Sequence, residues 1–162
     1  MASGYNRGVE RSAGVVVLLD VDGVVSRLSS RSRVSSRLRL DADVAGRVRR
    51  LRSLAEVVWV TAWDAGTRGA IEGTFGLPRL RAVEVARGVD ALDAVRGWLD
   101  RSAPADGWRV VAWIDDVLLG DAVAWAESVP FAVELVRPDG QQGLQDPHVD
   151  RVEAFLAAAR HD

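Results

Sequence analysis

Five short apolar runs, separated by stretches with helical spacing, constrain the fold of this chain more than any other feature. The runs at residues 15–19, 57–60 and 110–114 are nearly continuous and rich in valine, as expected of strands buried on both faces. Two more runs lie at residues 80–85 and 131–136, and the first of these contains charged side chains and is the weakest strand prediction. Strands that alternate with helices are typical of a parallel sheet covered on both sides. We therefore predict a three-layer, Rossmann-like α/β domain with a mainly parallel sheet of about five strands.

The helices predicted between these strands are recognised by apolar residues that recur every three or four positions. In residues 37–40, arginine and leucine alternate, which is typical of an edge strand and not of a helix. The first predicted helix is capped by Asp41 or Asp43 and continues through the apolar residues Val44, Val48, Leu51 and Ala55. A second helix is predicted over residues 89–100 and a short third one over residues 122–126. The last predicted helix has Asp146 as its cap and Pro147 in its first turn.

The length and composition indicate one domain. A chain of 162 residues that is 48% hydrophobic has the size and balance of a single globular core. We expect residues 1–14 to be a flexible N-terminus and residues 15–160 to form the domain. The first apolar run, residues 15–19, is too short for a signal peptide or a membrane span, so we expect a cytoplasmic protein. The sequence leaves open whether it is a monomer or a homodimer.

The residue types that are missing restrict the chemistry. The chain has no cysteine, only two histidines (His148 and His161), and no lysine, so all 21 basic residues are arginines. Thiolate nucleophiles, cysteine zinc sites, Schiff bases and lysine-containing phosphate loops are therefore excluded, and a Ser/His/Asp triad is disfavoured. Chemistry is left to carboxylates, hydroxyls, arginines and the backbone. A formal net charge of −2 argues against global attraction to nucleic acid.

Acidic and hydroxyl side chains follow three of the predicted strands at the point where each strand ends. The first strand runs into Asp20-Val21-Asp22-Gly23, the second ends at Thr61, and the fourth runs into Asp115-Asp116. Each piece by itself is also typical of turns and helix caps. Together they deliver four carboxylates and a hydroxyl to the sheet edge where α/β proteins bind ligands. Carboxylate oxygens are good Mg²⁺ ligands, so the pattern predicts magnesium-assisted phosphoryl transfer, with one aspartate attacking phosphorus and another moving a proton.

These motifs, in this order, resemble those of the haloacid dehalogenase-like (HAD) hydrolases. The first HAD motif is similar to Leu-Leu-Asp-Val-Asp-Gly-Val-Val at residues 18–25, the second to Thr61, and the fourth to Asp115-Asp116. The resemblance covers nearly the whole chain, from about Val15 to the final helix. The second aspartate of the first motif, Asp22, favours the phosphatases of the superfamily over the dehalogenases.

The resemblance implies a role for each matching residue. Asp20 would be the nucleophile that forms an aspartyl-phosphate, and Asp22 the general acid/base. Thr61 would hydrogen-bond the phosphoryl group, with Ala62 and Gly23 as neighbouring substrate-binding positions. Mg²⁺ would lie between the Asp20 carboxylate, the backbone carbonyl of Asp22 and Asp115, with Asp116 assisting.

A narrower likeness concerns the residues that flank these strand ends. Trp-Val-Thr-Ala-Trp at residues 59–63, Trp-Ile-Asp-Asp at residues 113–116 and the tail at residues 143–149 resemble the small HAD domain of Swiss Army Knife RNA repair proteins. The same tryptophans are equally consistent with core packing, and we expect the six tryptophans to serve core and rim rather than to stack bases.

The third HAD motif, a basic residue that is usually lysine, has no lysine to fill it. Arg87 lies where that residue is expected, after the weak third strand, and Arg101 and Arg81 are rivals. An arginine keeps the charge and can grip a phosphate with two donors. That Arg87 is simply a solvated residue before a helix is an equally good interpretation. The missing lysine also supports an alternative function, a catalytically degenerate HAD-like module that binds phosphate or nucleic acid without turnover.

The spacing of the motifs leaves no room for a large cap domain. Forty residues separate Asp20 from Thr61, and about 25 separate Thr61 from the expected third motif. Similarity to HAD proteins with open sites implies either a large substrate, such as a nucleic acid end or a phosphoprotein, or a cap borrowed through oligomerisation. From Arg27 to Arg52 the chain carries nine arginines and two acids, which suits a phosphate-backbone contact. A solvated surface is the favoured interpretation of this tract, because no aromatic residues are interleaved.

Overall fold

The computed structural model describes residues 14–28 and 38–160 and shows a parallel α/β sandwich. The five strands pair in the order β3-β2-β1-β4-β5, and every pair is parallel. This confirms the predicted three-layer, Rossmann-like fold. The elements in chain order are β1 (Val15–Asp20), α1 (Ala42–Leu54), β2 (Glu56–Thr61), α2 (Ala65–Phe75), β3 (Arg81–Glu84), α3 (Ala91–Asp106), β4 (Val110–Ile114), α4 (Gly120–Ser128), β5 (Ala132–Val136) and α5 (Asp146–Ala159).

The apolar runs are continuous because both faces of the central strands are covered. Successive side chains of a strand point to opposite faces. In β1, Val15, Val17 and Leu19 pack with residues of α1, α2 and α5, whereas Val16 and Leu18 pack with residues of α3 and α4. The sheet is therefore the middle layer between two helical layers, each with its own apolar cluster.

The predicted strands agree with the observed ones to within about one residue at most ends. The weakest prediction, at residues 80–85, is β3, the shortest strand, which lies at the edge of the sheet. Only one of its four side chains, Val83, is buried. An edge strand with one buried side chain gives little hydrophobic signal, which explains the weak pattern.

The N-cap residues predicted from the sequence for α1 and α5 can be compared with those in the structure. Asp41, one of two predicted caps of α1, accepts a hydrogen bond from the backbone N–H of Val44 at 2.8 Å. The predicted cap of the last helix was wrong by one position, because Gln145 caps α5 and Asp146 is its first helical residue. Gln145 and His148 form a reciprocal capping box there, and Pro147 lies in the first turn as predicted.

The second predicted helix is longer than expected, and one helix was missed. Helix α3 begins at Ala91 and continues past residue 100 to Asp106, with Pro104 in its last turn. Helix α2 was not predicted, although Asp64 caps its start and Gly76 ends it in the left-handed conformation. Its buried residues, Ile71, Glu72 and Phe75, all lie in its second half, and glycines at 66, 69 and 73 dilute the helical pattern.

The segment between β1 and α1 differs from the prediction where it is described. Residues 38–40 form no strand, since the backbone N–H of Arg39 donates to Ser26 Oγ at 2.9 Å instead of pairing with the sheet. Arg37 and the serine-rich stretch at residues 29–36 lie outside the described residues, as do residues 1–13 of the predicted N-terminal segment. The predicted edge strand over residues 37–40 is therefore wrong for its last three positions.

The segment between β2 and β4 forms part of the core domain. Residues 62–109 are taken up by α2, β3 and α3 with their short connections, so the described residues include no cap domain. None of the helices within residues 14–28 and 38–160 has the length and hydrophobicity to cross a bilayer.

Candidate active site

The sheet topology places the ends of β1 and β4 next to each other at the crossover point of the fold. From β1 the sheet extends through β2 to β3 on one side and through β4 to β5 on the other. Ligands of such sheets bind beyond the carboxyl ends of the strands where the order reverses. Leu19 pairs with Ile114, so Asp20 and Asp115 leave neighbouring strands side by side. Val60 pairs with Asp20 on the other side, which brings Thr61 to the same edge.

Three carboxylates converge at this edge. Oxygen atoms of Asp20, Asp115 and Asp116 all lie within 4.8 Å of one another. Like charges at this separation repel unless they are protonated or neutralised by a cation. Oxygen ligands alone suit a hard cation such as Mg²⁺. The donor set thus fits the metal expected from the sequence, whereas the carboxylate of Asp22 does not belong to this cluster. A ligand role for the Asp22 backbone carbonyl stays a prediction.

The electrostatics of this carboxylate cluster favour neutralisation. Burial raises the pKa of Asp20 well above its ordinary value, and the charges of Asp115, Asp116 and Asp22 raise it further. A hydrogen bond from the following backbone N–H to Asp20 Oδ1, 2.7 Å long, opposes these effects. Burial also raises the pKa of Asp115, against a 2.8 Å hydrogen bond from the N–H of Val117. A bound cation would relieve the same repulsion that otherwise holds protons on these acids.

Two glycines enclose the carboxylate of Asp116. A Cβ atom on Gly23 would lie 2.3 Å from Asp116 Oδ2, and a Cβ atom on Gly140 would lie 2.4 Å from the same oxygen. Gly23 also has a positive φ of 78°, which favours glycine independently of the contact. Its backbone N–H donates to the carbonyl of Ser26 at 2.7 Å and is therefore not available to a substrate. The structure gives Gly23 a steric role beside Asp116, and its expected substrate contact stays a prediction.

Asp22 lies beside the cluster with its two oxygens in different surroundings. Oδ2 accepts a hydrogen bond from the indole Nε1 of Trp63 at 3.1 Å. Oδ1 is buried and has no hydrogen-bond partner within residues 14–28 and 38–160. Burial raises the pKa of Asp22, and the bond from Trp63 lowers it in part. One oxygen is thus held in place while the other is left to carry or take up a proton.

Thr61 and Ala62 complete the predicted set at the end of β2. Thr61 is buried, and its Oγ1 accepts a hydrogen bond from the backbone N–H of Trp63 at 3.1 Å. Its hydroxyl hydrogen is left to donate. A cavity of about 1250 Å³ at this edge is lined by six of the predicted site residues, Asp20, Asp22, Thr61, Ala62, Asp115 and Asp116.

The three arginines considered for the third motif do not line this cavity. Arg81 begins β3 at the opposite end of the sheet, where it pairs with Asp106 at 2.9 Å and lies 5.2 Å from the centre of the Trp98 ring. Arg101 lies in the second half of α3, which runs away from the carboxyl edge. Arg87 lies at the correct edge, on the exposed turn between β3 and α3, and its catalytic role stays a prediction.

Another arginine, which the sequence-based prediction missed, does line the cavity. Arg137 follows β5 directly, and its Nε donates to the backbone carbonyl of Asp116 at 3.1 Å. Its position at a strand end is the same signal that identified the aspartates. The resemblance to HAD hydrolases placed the expected basic residue before β4, so the end of β5 was not predicted to supply one.

Most described arginines of the 27–52 tract are engaged within the fold. Six of its nine arginines are described, and four of these make contacts with other elements. Such contacts favour the interpretation of this part of the tract as a structural surface. The contacts are Arg27 with Asp41, Arg47 with Asp146 at 2.9 Å, Arg49 with the carbonyl of Phe75 at 2.9 Å, and Arg50 with Asp150 at 2.8 Å and with Glu153.

The tryptophans serve the core, with one exception. Five of the six are buried, and the indole of Trp59 donates to Glu72 Oε1 inside the core at 3.1 Å. The sixth, Trp63, is half-buried and contacts Asp22. The tryptophans that flank the strand ends thus include one that belongs to the site.

Comparison with protein families gives a match that spans the site residues. The model for the HAD domain in Swiss Army Knife RNA repair proteins matches residues 16–149, from β1 into the first turn of α5. A search of curated proteins found no match.

Proposed function

Because this chain belongs to the family of HAD domains in Swiss Army Knife RNA repair proteins, we propose that it is a magnesium-dependent phosphohydrolase of phosphate monoesters. The observation that carries the proposal is the convergence of Asp20, Asp115 and Asp116 within 4.8 Å at the carboxyl edge of the sheet. Asp22 and Thr61 line the same cavity. Acids, a hydroxyl and no thiol or lysine make phosphoryl transfer the chemistry that this edge suits best.

The carboxylates of Asp20, Asp115 and Asp116 would hold the cation. Bound there, Mg²⁺ would offset the negative charge that the acids and the phosphoryl group bring together.

Asp20 is the nucleophile in this proposal. Its Oδ1 is engaged by the backbone N–H of Val21, which leaves Oδ2 to attack phosphorus. A bond forms between Oδ2 and phosphorus while the bond from phosphorus to the ester oxygen breaks. The product of this step is an acyl phosphate on Asp20 and a free alcohol.

Asp22 moves the proton in both halves of the reaction. Protonated on Oδ1, it gives its proton to the departing ester oxygen. As a carboxylate it then takes a proton from water, whose oxygen attacks phosphorus. Inorganic phosphate leaves, and the carboxylate of Asp20 is restored. The bond from Trp63 holds Oδ2, which leaves Oδ1 as the oxygen that carries the proton.

Thr61 orients the phosphoryl group. Its Oγ1 already accepts the N–H of Trp63, so the hydroxyl hydrogen is directed to an oxygen of the substrate. Its burial at the end of β2 fixes the position of that donor beside Asp20.

The open cavity supports a large substrate. No cap domain is present in the described residues, and the cavity of about 1250 Å³ is lined there by strand ends, by loops at the sheet edge and by the first turns of α3 and α4. Nucleic acid ends that carry a phosphate fit such a site, and the family is described by its occurrence in RNA repair proteins. A cytoplasmic location remains part of this proposal.

Release of phosphate from an aryl phosphate tests the proposed activity. We expect magnesium-dependent hydrolysis by the native protein and by Asp100→Asn, a control on the exposed face of α3. Loss of the nucleophile in Asp20→Asn should reduce kcat by about a thousandfold or more. Native protein no faster than Asp20→Asn would overturn the proposal in favour of a module that binds without turnover. A panel of 3′- and 5′-phosphorylated oligonucleotides and small phosphate esters then identifies the substrate class.

A further inference from the structure

The cavity carries a strong excess of negative charge. Seven aspartates line it, and among the cavity-lining residues that the structure describes there is one cationic side chain, Arg137. A phosphate monoester adds further negative charge, and one divalent cation does not balance so many carboxylates. A positively charged side chain at the cavity would therefore favour binding of the phosphoryl group. The seven aspartates are Asp20, Asp22, Asp90, Asp115, Asp116, Asp121 and Asp139.

Arg137 is tied to the same residue that contributes to the carboxylate cluster. Its Nε donates to the backbone carbonyl of Asp116 at 3.1 Å, while the Asp116 carboxylate lies with Asp20 and Asp115. Within residues 14–28 and 38–160, Arg137 makes no other hydrogen bond or ion pair. Its two terminal amino groups are thus left for a ligand, and their paired geometry matches two oxygens of a phosphate.

The loop that begins with Arg137 is fixed against the turn after β1. The backbone N–H of Leu28 donates to the carbonyl of Gly140 at 2.9 Å, and that of Leu144 donates to the carbonyl of Val24 at 2.8 Å. Pro138 is buried, which anchors the start of the loop. Because the loop is already held at the cavity, binding of a ligand by Arg137 costs less loop freedom than it would on a mobile loop.

We infer that Arg137 binds the phosphoryl group and supplies the positive charge that HAD hydrolases usually take from a lysine. The inference rests on the proposed function, and it moves this role from the segment before β4 to the loop after β5. Arg87, the residue expected from the sequence, does not line the cavity. Arg137 does so because its strand ends at the same sheet edge as the catalytic aspartates.

Two measurements on the full chain test this role. The first is binding of inorganic phosphate in the presence of Mg²⁺, by calorimetry, which needs no turnover. The second is KM and kcat for an aryl phosphate, with the Mg²⁺ concentration for half-maximal activity. The variants are Arg137→Ala, Arg137→Lys and Arg87→Ala, with Arg96→Ala on the exposed face of α3 as control.

We expect Arg137→Ala to weaken phosphate binding and raise KM by about tenfold to a hundredfold, as loss of a charge-assisted pair should. Arg137→Lys should lose less, because it keeps the charge, and Arg96→Ala should match the native protein. The Mg²⁺ requirement should change little. A shift in the Mg²⁺ requirement with unchanged phosphate affinity would reduce Arg137 to a support for Asp116 and overturn the inference. An equal or larger loss in Arg87→Ala would overturn it as well.

Failure of the proposed function gives a different pattern. Arginine-dependent phosphate binding without hydrolysis would retain this inference and overturn the phosphatase. Hydrolysis with native affinity in Arg137→Ala would do the reverse. Native protein that neither binds nor hydrolyses phosphate would overturn both.

Discussion

Trp63 Nε1 donates a hydrogen bond to Asp22 Oδ2 at 3.1 Å across 41 positions of sequence. The opposite oxygen of Asp22 is buried with no partner in the described chain. An N–H donor favours the ionised carboxylate, and accordingly the bond lowers the pKa of Asp22 against the effect of burial. The pair thus sets both where the proton of Asp22 resides and how readily it leaves.

We expect Trp63→Phe to shift the pH profile of kcat/KM. The first step needs protonated Asp22, so activity falls as pH rises through the pKa of Asp22. Removing the donor raises that pKa, and the falling limb should move to higher pH. Loss of orientation should also lower kcat about tenfold. Trp108→Phe is the control, because the Trp108 indole lacks a hydrogen-bond partner in the described structure. An unshifted limb in Trp63→Phe would contradict the role of the pair.

We expect Gly140→Ala to weaken Mg²⁺ binding about tenfold. The added methyl would lie 2.4 Å from Asp116 Oδ2 and would displace that carboxylate from the cluster. Titration of activity or of thermal stability with Mg²⁺ measures the effect. Gly88→Ala is the control, since Gly88 has a φ of 77° but no atom within 4 Å of the new methyl. It should cost about 1 kcal/mol of stability and leave Mg²⁺ affinity unchanged. Equal Mg²⁺ affinity in both variants would show that the Asp116 contact is unimportant.

We expect Asp20→Asn to be more stable than the native protein at neutral pH when no divalent cation is added. The pKa of Asp20 in the folded state is raised above its ordinary value of 3.8, mainly by burial. Its contribution to the free energy of unfolding therefore falls as pH rises from 3.8 through the folded-state pKa. The amide of asparagine removes this penalty. Urea unfolding of the cation-free proteins over a pH series measures it.

We expect added Mg²⁺ to reverse that order of stability. At about a hundred times its Kd, a ligand of the native state adds about 2.7 kcal/mol to the free energy of unfolding. The native protein and Asp100→Asn should gain this stabilisation, whereas Asp20→Asn should gain much less. Equal stabilisation of Asp20→Asn would place the cation away from the carboxylate cluster.

We expect His148 to make the start of α5 sensitive to acid. Its Nδ1 accepts the backbone N–H of Gln145 at 2.9 Å, which protonation of the ring would abolish. Burial, followed by the charges of Arg151 and Arg47, lowers the pKa of His148 below 6.5. Its contribution is therefore complete above pH 6.5 and is lost as pH falls through the lower folded-state value. About 1 kcal/mol should be lost, as for other helix caps.

The His148→Gln variant isolates this effect. Glutamine keeps an acceptor at the same position of the capping box and does not titrate. The difference in the free energy of unfolding between the two proteins, measured from about pH 8 to about pH 5, should grow as pH falls. A difference that is constant with pH would exclude protonation of His148 as the cause.

The strand ends were predictable from sequence because two local signals coincide there. Continuous valine-rich runs identify β1, β2 and β4, and the polar residue that follows each run must lie at the carboxyl edge. These signals are sufficient to place Asp20, Thr61 and Asp115 at one site. Helix α2 was not predicted, because its buried residues occupy only its second half and the helical periodicity of its apolar residues is therefore too short to recognise.

The features that were not predictable from sequence depend on contacts between distant segments. The enclosure of Asp116 by Gly23 and Gly140 joins residues that no periodicity relates. The bond from Trp63 to Asp22 depends on how the loops after β1 and β2 pack. Arg137, in contrast, could have been predicted as a site residue from the sequence, because it directly follows a predicted strand.

A covalent phosphoryl group on Asp20 is the most direct test of the proposed reaction. Native protein is mixed with an aryl phosphate and Mg²⁺, quenched in acid within the first turnover, digested and analysed by mass spectrometry. We expect the peptide that contains Asp20 to gain the mass of one phosphoryl group, and the same peptide of Asp20→Asn to remain unlabelled. Phosphate release without this label, or a label on another residue, would contradict the assignment of Asp20 as the nucleophile.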